Sequence, residues 1–382
     1  MNLEARTIPK EQLVDAVDER AERRRQQAAA RDAQYGPDRV RVNSYMENIG
    51  WPELFGYDMN DFYADPDLNV EMQLRQKVFW ADNSDDDSGI DLGIQASTGM
   101  YYDMTLFGQK IRHTTDGVPC FDPHPISRDP DPSHITPFDF YATGDMPALI
   151  AQHRRMLELN QREYGGRLQV RFPNFHRGPL DVLVQLRGYD NFVADAVERP
   201  ELVRRFLDLF VDERLRYARE RQRYLGDPDL PPTTFVADDW VNVPFISPAM
   251  FRAFAMPAYR RIRAEEGPVT GFHTCGNFEA VVLDLLSAFP DICLLEVSGW
   301  NDVRALDRSV PREVGFYAQV INTLVLTASV DEQRARLEVI AEVSRRRTVS
   351  LCAQAMVKFN SYDETIDKMN RFIRLAREVL SS

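Results

Sequence analysis

Cysteine is scarce in this sequence, and long apolar runs are missing. Only 4 of its 382 residues are cysteines, too few for a disulfide scaffold, so we expect free thiols in a reducing compartment. No stretch of about 18 apolar residues occurs, as a membrane-spanning helix would need. The charged N-terminus has no apolar centre of the kind a signal peptide requires. These absences favour a cytoplasmic protein without a membrane partner.

Basic residues are outnumbered by acidic ones. The chain has 46 Lys and Arg residues against 59 Asp and Glu residues, for a net charge of -13. Nucleic acids and anionic membranes attract an excess of positive charge, so this balance argues against both as partners and favours a small-molecule substrate. The hydrophobic share of 44% is ordinary for a folded globular protein and excludes disorder for the bulk of the chain.

Strand and helix patterns alternate along most of the chain. Repeated strand-helix units indicate a parallel sheet, and about eight such units close a barrel. We therefore predict an α/β fold, a TIM (β/α)8 barrel. The predicted strands lie near residues 39–45, 91–96, 168–174, 233–240, 269–276, 292–299, 314–320 and 348–354.

Two segments fall outside this alternation. Residues 1–38 contain good helix formers with little apolar face, which predicts an N-terminal helical extension outside the core. A single barrel domain then covers residues 39–382. Residues 107–140 are rich in Pro, Asp and Gly and cannot form long regular elements. We expect them to form an insertion over the barrel mouth.

A candidate metal site lies at two predicted strand ends. His273 and Cys275, in GFHTCGN, are two residues apart, so their side chains point to the same face of a strand. Cys352 ends another strand pattern, TVSLCAQ, and a narrow barrel lets such ends converge. One His and two Cys form a ligand set that Zn²⁺ favours, and three ligands leave the open position typical of catalysis. The alternative is that these cysteines are buried packing groups.

Glu296 is a candidate fourth ligand of the same ion. It is a carboxylate in an otherwise apolar strand pattern, ICLLEVSG, and a buried carboxylate needs a partner. We expect it to leave the ion when the substrate arrives. Asp238 and Asp239 follow another strand pattern and alternate in facing, so one of them is expected to enter the mouth and orient substrate or move a proton. The alternative is that one caps a turn and the other pairs with an arginine.

Further polar side chains are candidates for lining the substrate pocket. His176 and Arg177 follow a predicted strand and are suited to an anionic group. The other candidates stand near the first strands: Tyr45, Glu47, Asn48 and Tyr101. The sequence has no Gly-rich phosphate loop, GxSxG, HExxH or paired CxxC motif, so nucleotide-binding, serine-hydrolase and zincin classes lack support.

The segments 175–208, 235–267 and 271–292 resemble the uroporphyrinogen decarboxylase-like superfamily. The resemblance implies the TIM barrel independently of the strand patterns. Its decarboxylases grip porphyrinogen carboxylates with an N-terminal arginine motif and use no metal, whereas here RVNSYMENIGWPELFG offers acids and amides instead. Its zinc-dependent methyltransferases carry a His-x-Cys pair and a distant Cys, which His273, Cys275 and Cys352 match.

The methyltransferase branch therefore implies a zinc-dependent methyl or alkyl transferase that activates a thiol or similar nucleophile. It also implies a corrinoid-bearing protein or a folate as donor, and a homodimer. Two other functions stay open. One is a metal-free carboxy-lyase, for which Asp238 or Asp239 and His176 would be the working groups. The other is a non-catalytic corrinoid- or tetrapyrrole-binding protein.

Overall fold

A computed structural model describes residues 1–227 and 234–381. A strand overlaps each of the eight predicted regions, although Thr233, where one prediction begins, lies outside the described residues. The described strands are β1 (Arg41–Met46), β2 (Gly93–Gln95), β3 (Ile111–His113), β4 (Pro119–Phe121), β5 (Gln169–Arg171), β6 (Phe235–Ala237), β7 (Gly271–His273), β8 (Leu294–Val297), β9 (Gly315–Val320) and β10 (Val349–Met356).

Eight of these strands close a parallel barrel. Six form one sheet in the order β1-β10-β9-β8-β7-β6, and β2 pairs with β5. A parallel bridge between Arg177 and Ala237 joins the chain after β5 to β6. Between β1 and β2, the Asp87 amide donates to the Val42 carbonyl at 2.7 Å, and the Val42 amide donates to the Asp87 carboxylate at 2.9 Å. The (β/α)8 barrel predicted from the sequence is confirmed.

Helices surround the barrel because each buries one apolar stripe against the strands or its neighbours. In the last helix, Met369, Phe372, Ile373 and Ala376 follow this spacing and are fully buried. Within residues 1–227 and 234–381, no helix has the length and apolar character needed to cross a membrane. The α-helices are α1 (Leu13–Tyr35), α2 (Pro52–Phe55), α3 (Met59–Ala64), α4 (Pro66–Asn83), α5 (Tyr102–Thr105), α6 (Met146–Glu163), α7 (Pro179–Arg187), α8 (Tyr189–Glu198), α9 (Pro200–Leu225), α10 (Pro248–Met250), α11 (Met256–Glu265), α12 (Val282–Ala288), α13 (Val303–Ser309), α14 (Asn322–Thr327), α15 (Val330–Ser344) and α16 (Tyr362–Leu380).

The N-terminal helix α1 packs against α4 and belongs to the core. Its Arg20 and Arg24 side chains are buried. Arg20 Nε donates to Asp82 at 3.0 Å, and Arg24 Nη1 donates to Asp86 at 2.6 Å. The expectation that residues 1–38 lie outside the core is therefore wrong. The sequence pattern indicates solvent-exposed arginines, but Arg20 and Arg24 are buried against carboxylates at the end of α4 and just after it.

The Pro- and Asp-rich segment 107–140 contains the antiparallel pair β3 and β4 and otherwise lacks long elements. It packs along the outer helices: Arg187 donates to the Ile126 carbonyl at 2.8 Å, and the Phe138 amide donates to Glu213 at 3.1 Å. The segment reaches the barrel mouth through Phe121, whose ring centroid lies 5.0 Å from that of Tyr101. It therefore borders the rim of the mouth.

Candidate metal centre

Two neighbouring strand ends place three metal-binding side chains together. In the ladder between β6 and β7, Ala237 lies opposite His273, the last residue of β7. The Asp238 amide donates to the His273 carbonyl at 2.9 Å. This bond places the next residue, Asp239, at the same edge of the barrel. The Cys275 amide donates to Asp239 Oδ1 at 2.9 Å. Both loops are thus fixed to each other at the C-terminal edge of the barrel.

The side chains of Asp239, His273 and Cys275 converge on one point. His273 Nε2 lies 3.2 Å from Asp239 Oδ1 and 3.4 Å from Cys275 Sγ. One ligand atom from each of the three lies within 4.8 Å of the other two. Nitrogen, thiolate sulfur and carboxylate oxygen are the donors that zinc takes in proteins, and three of them leave one position open. The group therefore fits the zinc ion that the sequence predicts.

Behind His273 stands Glu296, on the opposite side of the imidazole ring. Glu296 Oε2 lies 2.5 Å from His273 Nδ1, and Gln319 Nε2 donates to the same oxygen at 2.8 Å. A carboxylate in this position fixes the orientation of a metal-binding histidine and raises its basicity. Glu296, expected as a fourth ligand, therefore lies outside the group of three and contacts its histidine instead.

The surroundings of His273 favour positive charge. Burial alone lowers the pKa of His273, but hydrogen bonds with Asp239, Cys275 and Glu296 raise it to about 12. Burial also acts on Asp239, yet the hydrogen bonds from His273 and Cys275 hold its pKa at about 2. An imidazolium among three potential anions carries the charge that a divalent cation would supply. This electrostatic setting also fits a bound metal.

Cys352 is not part of the group formed by Asp239, His273 and Cys275. It stands in β10, 1% exposed, and its neighbours across the sheet are Asn43 and Gln319. Burial raises the pKa of its thiol to about 12, and a hydrogen bond with Tyr317 opposes the rise. Two strands, β8 and β9, separate β10 from β7. The structure thus brings together two of the three predicted cysteine and histidine ligands and adds Asp239, which was not predicted as a ligand from the sequence.

The adjacent acids Asp238 and Asp239 have different surroundings. Asp238 is 0% exposed, accepts a hydrogen bond from the Tyr259 hydroxyl at 2.7 Å and accepts another from the Leu180 amide at 3.2 Å. Burial raises the pKa of Asp238 well above its usual range. Asp238 therefore points into the protein, and Asp239 is the one that enters the mouth.

A cavity of about 780 Å³ opens beside the metal-binding group. His273 and Asp239 form part of its wall, together with Asn48, Tyr101 and His176 from the predicted pocket residues. The other two predicted pocket residues do not border it: Tyr45 and Glu47. Burial raises the pKa of Tyr45, and the nearby Glu47, Cys352, Glu296 and Cys275 add to this rise. Ligand cavities commonly have volumes in this range, so this one is the candidate substrate site.

Arg177 is held at the cavity wall by two carboxylates. Its Nε donates to Asp103 at 3.0 Å, and its Nη1 donates to Asp181 at 2.5 Å. The guanidinium also lies 4.6 Å from the ring centroid of Tyr101. Asp181 was not predicted from the sequence, although its spacing of four residues from Arg177 at the start of a helix is a signal for such a pair.

The fold and the site together define the class: the protein is a (β/α)8 barrel with histidine, cysteine and carboxylate donors at its C-terminal edge. The uroporphyrinogen decarboxylase (URO-D) family model matches residues 52–311, and the chain belongs to this family. The resemblance drawn from the sequence is confirmed. No protein of curated function matches the chain in sequence.

Among solved structures, the chain is similar to a methyltransferase from Methanosarcina mazei. The two share 16% sequence identity with a TM-score of 0.62, over 90% of this chain and 95% of that chain. At this level of identity the similarity shows a common fold over almost the whole of both chains.

Proposed function

We propose that this chain is a zinc-dependent transferase that moves a methyl or similar alkyl group to a thiol or similar nucleophile. The convergence of Asp239, His273 and Cys275, with Glu296 behind the histidine, carries the proposal. These donors stand at the C-terminal edge of the barrel, where enzymes of this fold place their chemistry. The fold shared with the methyltransferase from Methanosarcina mazei agrees with this function.

Asp239, His273 and Cys275 would hold the ion, with Cys352 as a further thiol inside the barrel. Zinc bound there would act as a Lewis acid that lowers the pKa of a thiol, so that a thiolate forms at neutral pH. Glu296 keeps Nε2 of His273 directed at the other donors, and Gln319 fixes Glu296 in turn. The cavity wall at Tyr101 and Arg177 positions the substrate and limits water around it.

The transfer itself needs an acceptor and a donor in line. The acceptor thiolate attacks the alkyl carbon, and the bond between that carbon and its former carrier breaks with its electron pair on the carrier. A corrinoid-bearing protein is the donor that the family resemblance implies, and a homodimer is the assembly it implies. Both belong to the proposal.

Metal content of the purified protein tests the proposal first. Protein prepared without chelator should contain about one zinc per chain, and His273→Ala and Cys275→Ala variants should lose most of it. Cys293→Ala is the matched control, because Cys293 is an exposed thiol just before β8, at the opposite end of the barrel. The zinc content of a Cys352→Ala variant shows whether this thiol occupies the fourth coordination position of the ion.

The second measurement is thiol-dependent alkyl transfer by the zinc-loaded protein. We expect product only when zinc is present, and none from the Cys275→Ala variant. Less than about a tenth of a zinc per chain, even after zinc is supplied, would contradict the proposal. A metal-free carboxy-lyase would then be the better description of the same barrel.

A further inference from the structure

Three arginines line the cavity, and two of them are already neutralised. Arg177 is bonded to Asp103 and Asp181. Arg171 is bonded to Asp91 at 2.8 Å. A guanidinium with a carboxylate partner has its preferred ligand in place, so neither of these two is free to bind a second anion strongly.

Arg221, near the end of α9, is different. It has no carboxylate partner within the described residues. Its Nε donates to the Pro173 carbonyl at 3.0 Å, and its Nη2 donates to the Phe172 carbonyl at 3.0 Å. Burial lowers the pKa of Arg221, because partly apolar surroundings disfavour its charge. The two carbonyls, just after β5, fix the direction in which the guanidinium points.

The cavity therefore differs in character along its wall. The metal-binding group contacts it through Asp239 and His273, while Arg221 borders it beside Phe172 and Leu225. The guanidinium makes its hydrogen bonds to the chain after β5, and the metal-binding side chains make theirs between β6, β7 and β8. One region thus offers metal donors, and another offers an apolar wall with an unneutralised cation.

We propose that Arg221 binds an anionic group of the substrate, a carboxylate, sulfonate or phosphate, away from the reacting end. A planar guanidinium with a free edge is the protein group best suited to such anions. Phe172 and Leu225 would contact an aliphatic spacer between the anion and the reacting atom. That the reacting end lies at Asp239, His273 and Cys275 rests on the proposed function, whereas the anion site does not.

Binding of non-thiol ligands to metal-free protein tests this site alone. The probes are straight-chain carboxylates of about four to eight carbons, lengths that the cavity can hold, each beside the primary amide of the same length. Calorimetric titration gives the ratio of the two dissociation constants. Hydrogen bonds to a charged group predict that the carboxylate binds about tenfold or more tightly than its amide. Sulfonates and phosphates of the preferred length then show which anion is favoured.

Variants assign the preference to Arg221. Arg221→Gln should reduce the carboxylate-to-amide ratio to about one, and Arg221→Lys should restore part of it, because the charge returns without the planar edge. Arg219→Gln is the matched control: Arg219 is an exposed arginine of the same helix that does not line this cavity. Arg221→Gln also loses two bonds to backbone carbonyls, but the ratio is measured within each variant and is independent of a general loss of stability.

Equal binding of carboxylate and amide by the unmodified protein would overturn the anion site. A preference that persists in Arg221→Gln, or that disappears equally in Arg219→Gln, would overturn the role of Arg221. Neither result depends on zinc or on alkyl transfer. A protein that binds anions through Arg221 but holds no zinc would therefore refute the proposed function and leave this inference standing.

Discussion

Oε2 of Glu296 lies 2.5 Å from Nδ1 of His273, so the imidazole of His273 has one nitrogen committed to β8 and the other directed at Asp239 and Cys275. The ring cannot turn without breaking one of these contacts. A metal-binding histidine supported in this way holds its ligand atom in place before the metal arrives. Glu296 thus orients His273 and is not itself one of the three converging donors.

Replacing Glu296 by glutamine should weaken zinc binding without abolishing the site. Loss of the carboxylate behind a metal-binding histidine typically costs about 10- to 100-fold in metal affinity. Competition with a chromogenic chelator measures the dissociation constant, and Glu313→Gln, which changes an exposed carboxylate just before β9, is the control. At saturating zinc the Glu296→Gln variant should still hold one ion per chain. Unchanged affinity would show that Glu296 does not support the histidine.

The same substitution at the adjacent acids Asp238 and Asp239 should affect zinc affinity differently. Asp238→Asn keeps an oxygen that accepts from Tyr259 and the Leu180 amide. Burial raises the pKa of Asp238 well above its usual range, so an uncharged side chain is favoured there. We expect its stability to stay within about 1 kcal/mol of the original and its zinc affinity to be unchanged. Asp239→Asn should lose about tenfold or more in zinc affinity, because an amide oxygen replaces a carboxylate ligand. Equal zinc affinity of the two variants would contradict these roles.

The barrel was predictable because its signal is local. Each strand is a short apolar run followed by a helix with a periodic apolar stripe, and this alternation can be read without any knowledge of contacts. Helices α7 and α8 have a weaker local signal, because both are short and only Gly188 separates them; its φ of 85° ends the first helix and starts the second. The burial of α1 was missed because Asp82 and Asp86, which neutralise its arginines, lie more than fifty residues along the chain.

The candidate site likewise has residues that the local sequence predicts and residues whose place depends on tertiary structure. His273 and Cys275 were found together because two residues on one strand end share a face. The place of Asp239 depends on the register between β6 and β7, which the sequence does not display. The separation of Cys352 depends on the width of the barrel between β7 and β10. Arg221 is one of several arginines near the end of α9, and its proposed role depends on where the chain after β5 presents its carbonyls.

Arg347, at the base of the barrel, should be among the largest single contributors to stability. Its guanidinium is fully buried, donates to Asp307 at 2.8 Å and bonds to the carbonyls of Val314 and Val310 at 2.9 Å each. Arg347→Ala removes one of the two arginine partners of a buried carboxylate and leaves these carbonyls unpaired, and we expect a loss of about 3 to 5 kcal/mol in the free energy of unfolding.

The neighbouring Arg346 supplies the matched control, because it bonds to the same Asp307 from a partly exposed position. Arg346→Ala should cost about 1 kcal/mol or less. Denaturant titration followed by circular dichroism measures both. Similar losses in the two variants would show that the buried contacts of Arg347 to the backbone carry little stability.

Asp181 should make the metal-free protein less stable as the pH rises through about 6. Burial raises the pKa of Asp181 to about 6; Arg177 opposes this rise, while the carboxylates of Asp239 and Asp103 add to it. In the unfolded chain the pKa is about 3.9, so the native state binds the proton more tightly. The stabilisation from this proton is complete below about pH 4 and is lost as the pH rises through 6, a change of about 3 kcal/mol.

Unfolding free energies at a series of pH values between about 4 and 7 measure this slope, and they should be compared with the same series for Asp181→Asn. The asparagine variant does not titrate there, so its stability should fall less over this range. Asp190→Asn, an exposed acid on the following helix, should keep the original slope. If Asp181→Asn keeps the full slope as well, the Arg177 ion pair already holds Asp181 ionised, and the pH dependence comes from another group.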